Sequence, residues 1–116
     1  MEAEIINREF HVKGVLYNIK VKGTSIRILC LSHAIERIKK WGITEEMVVE
    51  ALVYPEEVIV GHRGRYIAHR RYNKHLIRAV YEYEGELPSV ITVYFPYSDR
   101  YFKGGGIYED KILKGS

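Results

Sequence analysis

The chain has 116 residues and a formal charge of +3, enough for one hydrophobic core and too short for several domains, so we expect a single domain over residues 1–116. Apolar residues make up 47% and charged residues 28%, the balance of a soluble globular protein, and no apolar run has the length of a membrane span. The first residues, MEAEIINREF, lack the basic and apolar regions of a signal peptide, and the single Cys30 cannot form an intramolecular disulfide. We therefore expect a cytoplasmic protein.

The composition is poor in thermolabile residues. There is no glutamine, only three asparagines and one cysteine, against 18 basic residues, 15 acidic residues and ten tyrosines. Depletion of thermolabile side chains with abundant Glu, Lys and Arg is the composition reported for hyperthermophiles, so it favours a thermophilic source.

The first thirty residues are typical of extended structure. AEIINREF and VLYNIKV are rich in β-branched and aromatic residues, with Gly14 between them and Gly23-Thr24 as a second turn signal. SIRILCL follows, with Ile26, Ile28 and Cys30 alternating against Ser25, Arg27 and Leu29. This pattern predicts two or three strands in a meander.

The hydrophobic period changes at Ser32, a residue that favours the N-cap of a helix. Four apolar residues then recur at helical spacing before Gly42, which predicts a helix end: Ala34, Ile35, Ile38 and Trp41. Thr44 predicts the N-cap of a second helix, whose apolar stripe is Met47, Val48, Ala51 and Leu52 and which Pro55 closes. The joint between them is two residues long, so the pair is predicted to form a helical hairpin.

From Glu57 onward the chain again predicts strands: VIV, RYIAHRRY, LIRAVYEY and VITVYF. The turns between them are too short for crossover helices, so these strands should pair antiparallel. The predicted order is β-β-(β)-α-α-β-β-β-β, an α+β domain with the helical hairpin packed on one face of a sheet. We expect the helices to bury Ile35, Ile38, Trp41, Val48, Ala51 and Leu52 against Ile91, Val93 and Phe95. The tail contains a flexible triple glycine, Gly104–Gly106.

Residues 62–78, HRGRYIAHRRYNKHLIR, concentrate the charge of the chain. They carry six of the Lys and Arg residues, three of the five histidines and no acid. On a strand, Arg65, His69 and Arg71 share one face by alternation, and the paired strand should bring Arg78, with His75, close to them. Tyr94 on the next strand could join this surface.

This combination of side chains suits RNA cleavage without a metal. Histidine can transfer protons near neutral pH, and the arginine fork can bind a phosphate and stabilise its charge. The catalytic candidates on the sheet are His69, Arg71, Arg78 and Tyr94. The candidates for binding nucleic acid are Arg63, Arg65, Arg70, Lys74 and His75.

His33 and Arg37 form a second candidate pair. They are four residues apart, so they share one helix face, away from the stripe of Ile35 and Ile38. His33 also lies at a helix start, where free backbone N–H groups can hold a phosphate.

Several segments carry a resemblance to a known family. They are Ser32-His33-Ala34-x-x-Arg37, Trp41-Gly42-Ile43-Thr44, Pro55, Gly64-Arg65, Leu76-x-Arg78 with Val80, and Val90-Ile91-Thr92-Val93-Tyr94. From about residue 26 to 102 the chain resembles small, uncharacterised prokaryotic proteins grouped with the BrnT and RelE/ParE toxin superfamily. The resemblance implies a RelE-like fold, with two helices beside a curved antiparallel sheet. It also implies a ribonuclease toxin that cuts RNA without a metal and is neutralised by an antitoxin protein.

Each feature also has a purely structural interpretation. Arginines such as Arg63, Arg65 and Arg70 can form a solvated face paired with glutamates, and His33 and Arg37 can serve local contacts. Tyr81, Tyr83 and Tyr94 are of the type that packs across strands. The histidine spacings match no metal motif, so we expect neither a metal nor another cofactor.

Three functions therefore stay open at the level of the sequence. The first is a toxin-like, metal-independent endoribonuclease of a toxin–antitoxin system, acting on RNA alone or on the ribosome. The second is an RNA- or ribosome-binding module without chemistry, since basic and tyrosine side chains also suit phosphate contact and base stacking. The third is a structural or protein-binding member of the same fold, whose basic face meets an acidic partner.

Overall fold

The computed structural model describes residues 3–114, which form a seven-stranded sheet with two helices packed against one of its faces. The strands are β1 (Ala3–His11), β2 (Gly14–Val21), β3 (Thr24–Leu31), β4 (Glu57–Val60), β5 (Tyr66–Tyr72), β6 (His75–Glu84) and β7 (Leu87–Tyr94). The helices α1 (Ser32–Trp41) and α2 (Glu45–Val53) lie between β3 and β4. No helix of the described range is long and apolar enough to cross a membrane.

The strand order across the sheet is β1-β2-β3-β7-β6-β5-β4. The α+β class, with two helices on a mostly antiparallel sheet, is confirmed. One junction is parallel: β3 pairs with β7 through Leu29–Ser89 and Cys30–Val90. This junction joins the N-terminal meander to the four C-terminal strands, so both groups belong to one sheet.

The helix ends follow the local sequence except at Ser32. Gly42 ends α1 with a left-handed φ of 67°, and the hydroxyl of Thr44 accepts a hydrogen bond from Met47 N at 3.1 Å at the start of α2. The predicted N-cap role of Ser32 is wrong, because Leu31 occupies that position and the Ser32 hydroxyl instead donates to Lys13 O at 3.3 Å.

The core between the helices and the sheet contains most of the predicted residues. Ile38, Val48, Ala51, Leu52 and Val93 are buried there, together with Ala34, Ile77, Ala79 and Val90. The predicted role of Ile91 is wrong, because a bulge pairs Tyr81 with Val90 and Val80 with Thr92 and leaves Ile91 between them. Trp41 lies at the rim of the core, 38% exposed, where its indole N–H donates to Val93 O at 3.0 Å.

The chain beyond β7 wraps around the β4 edge of the sheet. Residues 98–106, which we name the strap, cross the helix-free face, the side of the sheet turned away from α1 and α2. The following residues run beside β4, where Val58 N donates to Ile107 O at 2.7 Å and Glu109 N donates to Val58 O at 3.0 Å. Ile112 then packs against the core on the helix side. The strap therefore covers the sheet surface on which His69, Arg71 and Arg78 lie.

Candidate functional site

Four side chains form a row across four adjacent strands of the helix-free face. Glu57 of β4 is opposite His69 of β5, His69 is opposite Arg78 of β6, and Arg78 is opposite Tyr94 of β7. Their neighbours Val58, Ala68, Ala79 and Val93 belong to the helix-side core, so alternation along each strand directs the four to the other face. The pleat of the sheet thus places a carboxylate, an imidazole, a guanidinium and a phenol side by side.

The hydrogen bonds of the row fix the tautomer of His69. Its Nδ1 lies 2.6 Å from Glu57 Oε2, and its Nε2 lies 3.0 Å from Arg78 Nη1. A guanidinium has no acceptor, so Nε2 must accept the bond from Arg78 and Nδ1–H must donate to Glu57. His69 is therefore neutral, and the lone pair on Nε2 points to Arg78.

Burial reinforces this state. Both His69 and Glu57 are 0% exposed. Burial lowers the pKa of His69, and the charge of Arg78 lowers it further, while the bond to Glu57 opposes both effects. The neutral imidazole is consequently the form that persists when the solution becomes mildly acidic.

Glu57 is held as an anion by three donors. Besides His69, Lys103 N donates to Oε2 at 2.8 Å and Gly105 N donates to Oε1 at 2.9 Å. Burial raises the pKa of Glu57, but the three hydrogen bonds together outweigh it and leave the pKa below its usual range. Gly105 has a φ of +85°, a conformation that glycine adopts without strain and that contributes to the turn of the strap over the carboxylate.

The other end of the row reaches solvent. The half-buried Arg78 guanidinium lies 4.0 Å from the ring of Tyr101 in the strap, and Tyr94 beside it is 44% exposed. Burial lowers the pKa of Arg78, opposed by Tyr101 and Tyr94. In this arrangement Arg78 and Tyr94 are the members of the row that a molecule from solution can touch, whereas His69 is closed off.

Arg71 lies on the same face as His69, as expected from alternation, but its guanidinium pairs with a different carboxylate, that of Glu56. Its Nη2 is 2.8 Å from Glu56 Oε2, and its guanidinium lies 4.2 Å from the ring of Phe102. The bond from Arg71 lowers the pKa of Glu56. Arg71 is therefore a neighbour of the row rather than part of its hydrogen-bond chain.

The rest of the basic stretch does not form one surface. Arg65, on the face of His69, pairs with Glu82 at 3.2 Å, which is the structural interpretation given above for such arginines. Arg70 lies on the helix side and donates to Tyr54 O at 2.7 Å, just after α2 ends. The expectation that His75 joins Arg78 is wrong, because the two are three residues apart on one strand and face opposite sides. His75 is stacked on Phe95 and Tyr97, with ring centroids 4.7 Å away in each case.

Arg63 and Lys74 are exposed at opposite ends of β5. Arg63 belongs to the short turn between β4 and β5, and Lys74 to the turn between β5 and β6. Ser98 at the start of the strap donates to Lys74 O through both its backbone N–H and its hydroxyl, at 2.9 and 3.1 Å. These two cations therefore flank the row at a distance of several residues rather than contacting it.

His33 and Arg37 contact each other as their spacing predicts, with Arg37 Nε 3.4 Å from His33 Nε2. Their helix, α1, packs on the core side of β7, whereas the row lies on the helix-free face. The structure does not bring the two histidine–arginine pairs together.

Sequence reasoning missed Glu57, which accepts a hydrogen bond from His69, and Tyr101, whose ring packs against Arg78. The available signal for Glu57 was a charged residue directly before the apolar run VIV, at a position that strand β4 buries completely. The register that sets Glu57 opposite His69 depends on how residues 61–65 turn, which no residue count reveals. Residues 3–114 contain no group of three or more His, Cys, Asp or Glu side chains placed to hold a metal ion.

Fold and site together define a two-helix α+β domain with a carboxylate–histidine–arginine–tyrosine row across its sheet. The chain belongs to the DUF4258 family, a domain of unknown function, which matches residues 31–95. The match runs from the start of α1 to the end of β7 and includes all four residues of the row, while β1, β2 and the strap lie outside it. Comparison with curated proteins and with solved structures gives no match.

Proposed function

We propose that the protein is a toxin-like, metal-independent endoribonuclease that cleaves RNA at the row of Glu57, His69, Arg78 and Tyr94. The observation that carries the proposal is the register of the row, which places a neutral imidazole, a guanidinium and a phenol at successive strand spacings of about 4.8 Å. The resemblance to BrnT and to RelE/ParE toxins, with a RelE-like fold, belongs to the same proposal. In this view the protein acts in the cytoplasm, on RNA or the ribosome, and an acidic antitoxin is its partner.

Arg78 is the residue that binds the scissile phosphate. Its guanidinium is half-buried under Tyr101 and donates to His69 through Nη1, so other N–H groups remain for phosphate oxygens. When the guanidinium turns to the phosphate, it releases Nε2 of His69. Substrate binding thereby creates the free base that the unbound arrangement withholds.

The released Nε2 accepts the proton of the ribose 2′-hydroxyl, and Glu57 stabilises the imidazolium through its bond to Nδ1–H. The 2′-oxygen attacks phosphorus, the bond from phosphorus to the 5′-oxygen breaks, and the Tyr94 hydroxyl donates a proton to that leaving oxygen. The products are a 2′,3′-cyclic phosphate and a 5′-hydroxyl. Because His69 is 0% exposed beneath the strap, Tyr101 and Phe102 must move aside before this step.

The proposal is tested with purified protein, a single-stranded RNA, and ribosomes as a second substrate, each with and without EDTA. We expect 2′,3′-cyclic phosphate ends that EDTA leaves unchanged, and a loss of at least about 10²-fold in rate for Arg78→Ala and for His69→Ala. Tyr94→Phe should also lose rate, while Tyr108→Phe is its matched control, since both tyrosines are 44% exposed. Arg27→Ala, at an exposed position of β3, controls for loss of charge.

Two outcomes would contradict the mechanism. Cleavage that EDTA abolishes and a divalent metal restores would show that another chemistry operates. Cleavage with full activity in Arg78→Ala would show that the row is not the active site.

A second candidate is an RNA- or ribosome-binding module without chemistry. The observation that favours it is the closure of His69, which leaves Arg78 and the exposed rings of Tyr94 and Tyr101 as the accessible surface. A guanidinium beside tyrosine rings suits phosphate contact and base stacking. RNA that is bound with salt-dependent affinity, weakened by Arg78→Ala and never cleaved, would select this function.

A further inference from the structure

The tip of the β1–β2 hairpin exposes two large apolar side chains beside an apolar groove. Phe10 is 100% exposed and Val12 is 95% exposed. The groove lies between the hairpin and the helices and has a volume of about 570 Å³. Its apolar lining comprises Phe10, Val15, Tyr17, Ile35, Ile38 and Ile43. This face of the molecule therefore presents an apolar projection and an apolar hollow next to each other.

We propose that a second copy of this chain covers the groove, and that Phe10 of each copy inserts into the groove of the other about a two-fold axis. Phe10 stands at the mouth of its own groove but is fully exposed, so it does not fill that groove. A small ligand would fill the hollow and leave Phe10 and Val12 in water. A second copy buries the projection and the hollow together, because a two-fold contact uses the same patch on both subunits.

Two residues of opposite charge lie beside the patch, so the two-fold axis brings each of them to its counterpart in the other copy. Lys13 follows Phe10 at the hairpin tip, and Glu46 lines the groove at the first turn of α2. Both side chains are largely exposed, and their own-chain contacts are with Glu84 for Lys13 and, at 3.6 Å, with Arg8 for Glu46. Insertion of the tip brings Lys13 of one copy to Glu46 of the other, twice per dimer.

Two copies of the chain can also associate by pairing the free edges of their β1 strands, but the sequence of β1 disfavours this pairing. A register shift between Ile5 and Asn7 distorts the edge, and Glu4, Arg8 and Glu9 place charges along it. Bulges and charges of this kind oppose pairing of one strand edge with another. The interface that we propose is therefore the groove face and not a sheet continued through β1.

Sedimentation of the full chain, from low micromolar to about 1 mM, tests the proposal over the range in which weak specific contacts associate. We expect a monomer–dimer equilibrium whose dissociation constant rises at least about tenfold in Phe10→Glu, as for removal of a central aromatic anchor. Val60→Glu, at an exposed apolar position of β4, is the matched control and should leave the equilibrium unchanged. Thermal unfolding of the dilute Phe10→Glu monomer should match wild type because the side chain is fully exposed in its own chain.

Charge reversal adds a second, independent readout. Lys13→Glu and Glu46→Lys should each weaken the dimer, and the variant that combines them should recover wild-type association because the pair is re-formed across the axis. A monomer at every concentration, or a dimer that Phe10→Glu leaves intact, would overturn the proposal. A double variant as weak as either single variant would overturn the pairing of Lys13 with Glu46.

Discussion

Two histidine–arginine pairs of the same composition occur in different surroundings in this protein. In each, an arginine N–H faces Nε2 of the histidine, at 3.0 Å between Arg78 and His69 and at 3.4 Å between Arg37 and His33. His69 lies beneath the strap with Glu57 at its other nitrogen, whereas His33 is exposed on the surface of α1.

The difference shows what converts two suitable side chains into an ordered site. A pair at positions i and i+4 of an exposed helix competes with water and is worth only a few tenths of a kcal/mol. The sheet pair has a carboxylate that selects one tautomer and a strap whose backbone N–H groups hold that carboxylate in turn. In the mechanism proposed above, proton transfer is therefore the role of His69 alone, and His33 takes no part.

The largest effect that separates the two pairs should come from replacing the acid bonded to His69 and, for comparison, the acid that lies between His33 and Arg37 in the sequence. Glu57→Ala leaves the Nδ1–H of His69 and two strap N–H groups without their acceptor, so we expect the free energy of unfolding to fall by about 3 kcal/mol or more. Glu36→Ala, at an exposed position of α1 between His33 and Arg37, should change it by less than about 0.5 kcal/mol. Urea unfolding measures both. Equal losses in the two variants would mean that the row contributes no more than a surface position.

Hydrogen exchange of the strap amides provides a second measurement on Glu57→Ala, and it reports on local opening of the strap rather than on global unfolding. Because Lys103 N and Gly105 N donate to Glu57, their amide hydrogens should exchange faster in Glu57→Ala than in wild type under native conditions. Unchanged protection of both amides would show that the carboxylate does not hold the strap.

Features of the fold that neighbouring residues determine can be predicted from the sequence. Features that depend on residues far apart in the chain are harder to predict. The end of α1 at Gly42 and the cap of α2 at Thr44 are local, and the sequence predicts both. Alternation along a single strand likewise predicts that His69 and Arg71 share a face. Across strands the prediction weakens, because the bulge at Ile91 shifts which residues of β7 enter the core, and nothing local indicates it.

The candidate site shows the same limit more strongly. His69, Arg78 and Tyr94 were found because their residue types suit the chemistry and their strands are neighbours in the chain. Glu57 reaches the row through a register set by a turn in which Arg63 has a φ of +60°, and Tyr101 reaches it through a strap that follows β7. Contacts that depend on such tertiary closure have no periodic signature.

The second-largest effect that we expect is on how the free energy of unfolding changes with pH. The pKa of His69 is lowered in the folded state from about 6.5, so the unfolded chain binds more protons on this group below that pH. Its contribution is therefore fully present above about pH 6.5 and is lost as the pH falls through the lower pKa of the folded state. Glu57, whose pKa is also lowered from about 4.5, adds a further loss below that value.

We expect the unfolding free energy of the wild type to decrease on acidification from pH 7.5 to pH 5, within a window set by the His69 pKa and above that of Glu57. His69→Gln, which cannot titrate, should flatten the profile in this window. Urea unfolding at a series of pH values measures the slopes. A slope that persists unchanged in His69→Gln would contradict the assignment of this pH dependence to the buried histidine.

The smallest effect should come from the exposed pair itself. His33→Ala and Arg37→Ala each remove one partner of a single 3.4 Å contact at the helix surface, so each should lower the unfolding free energy by about 0.5 kcal/mol or less. The double variant tests whether the two are coupled at all, and the coupling free energy should stay below about 0.5 kcal/mol. RNA cleavage or binding by both variants should equal that of the wild type, because α1 lies across the sheet from the row. A large loss of RNA activity in His33→Ala, with folding intact, would show that the surface of α1 takes part in the function.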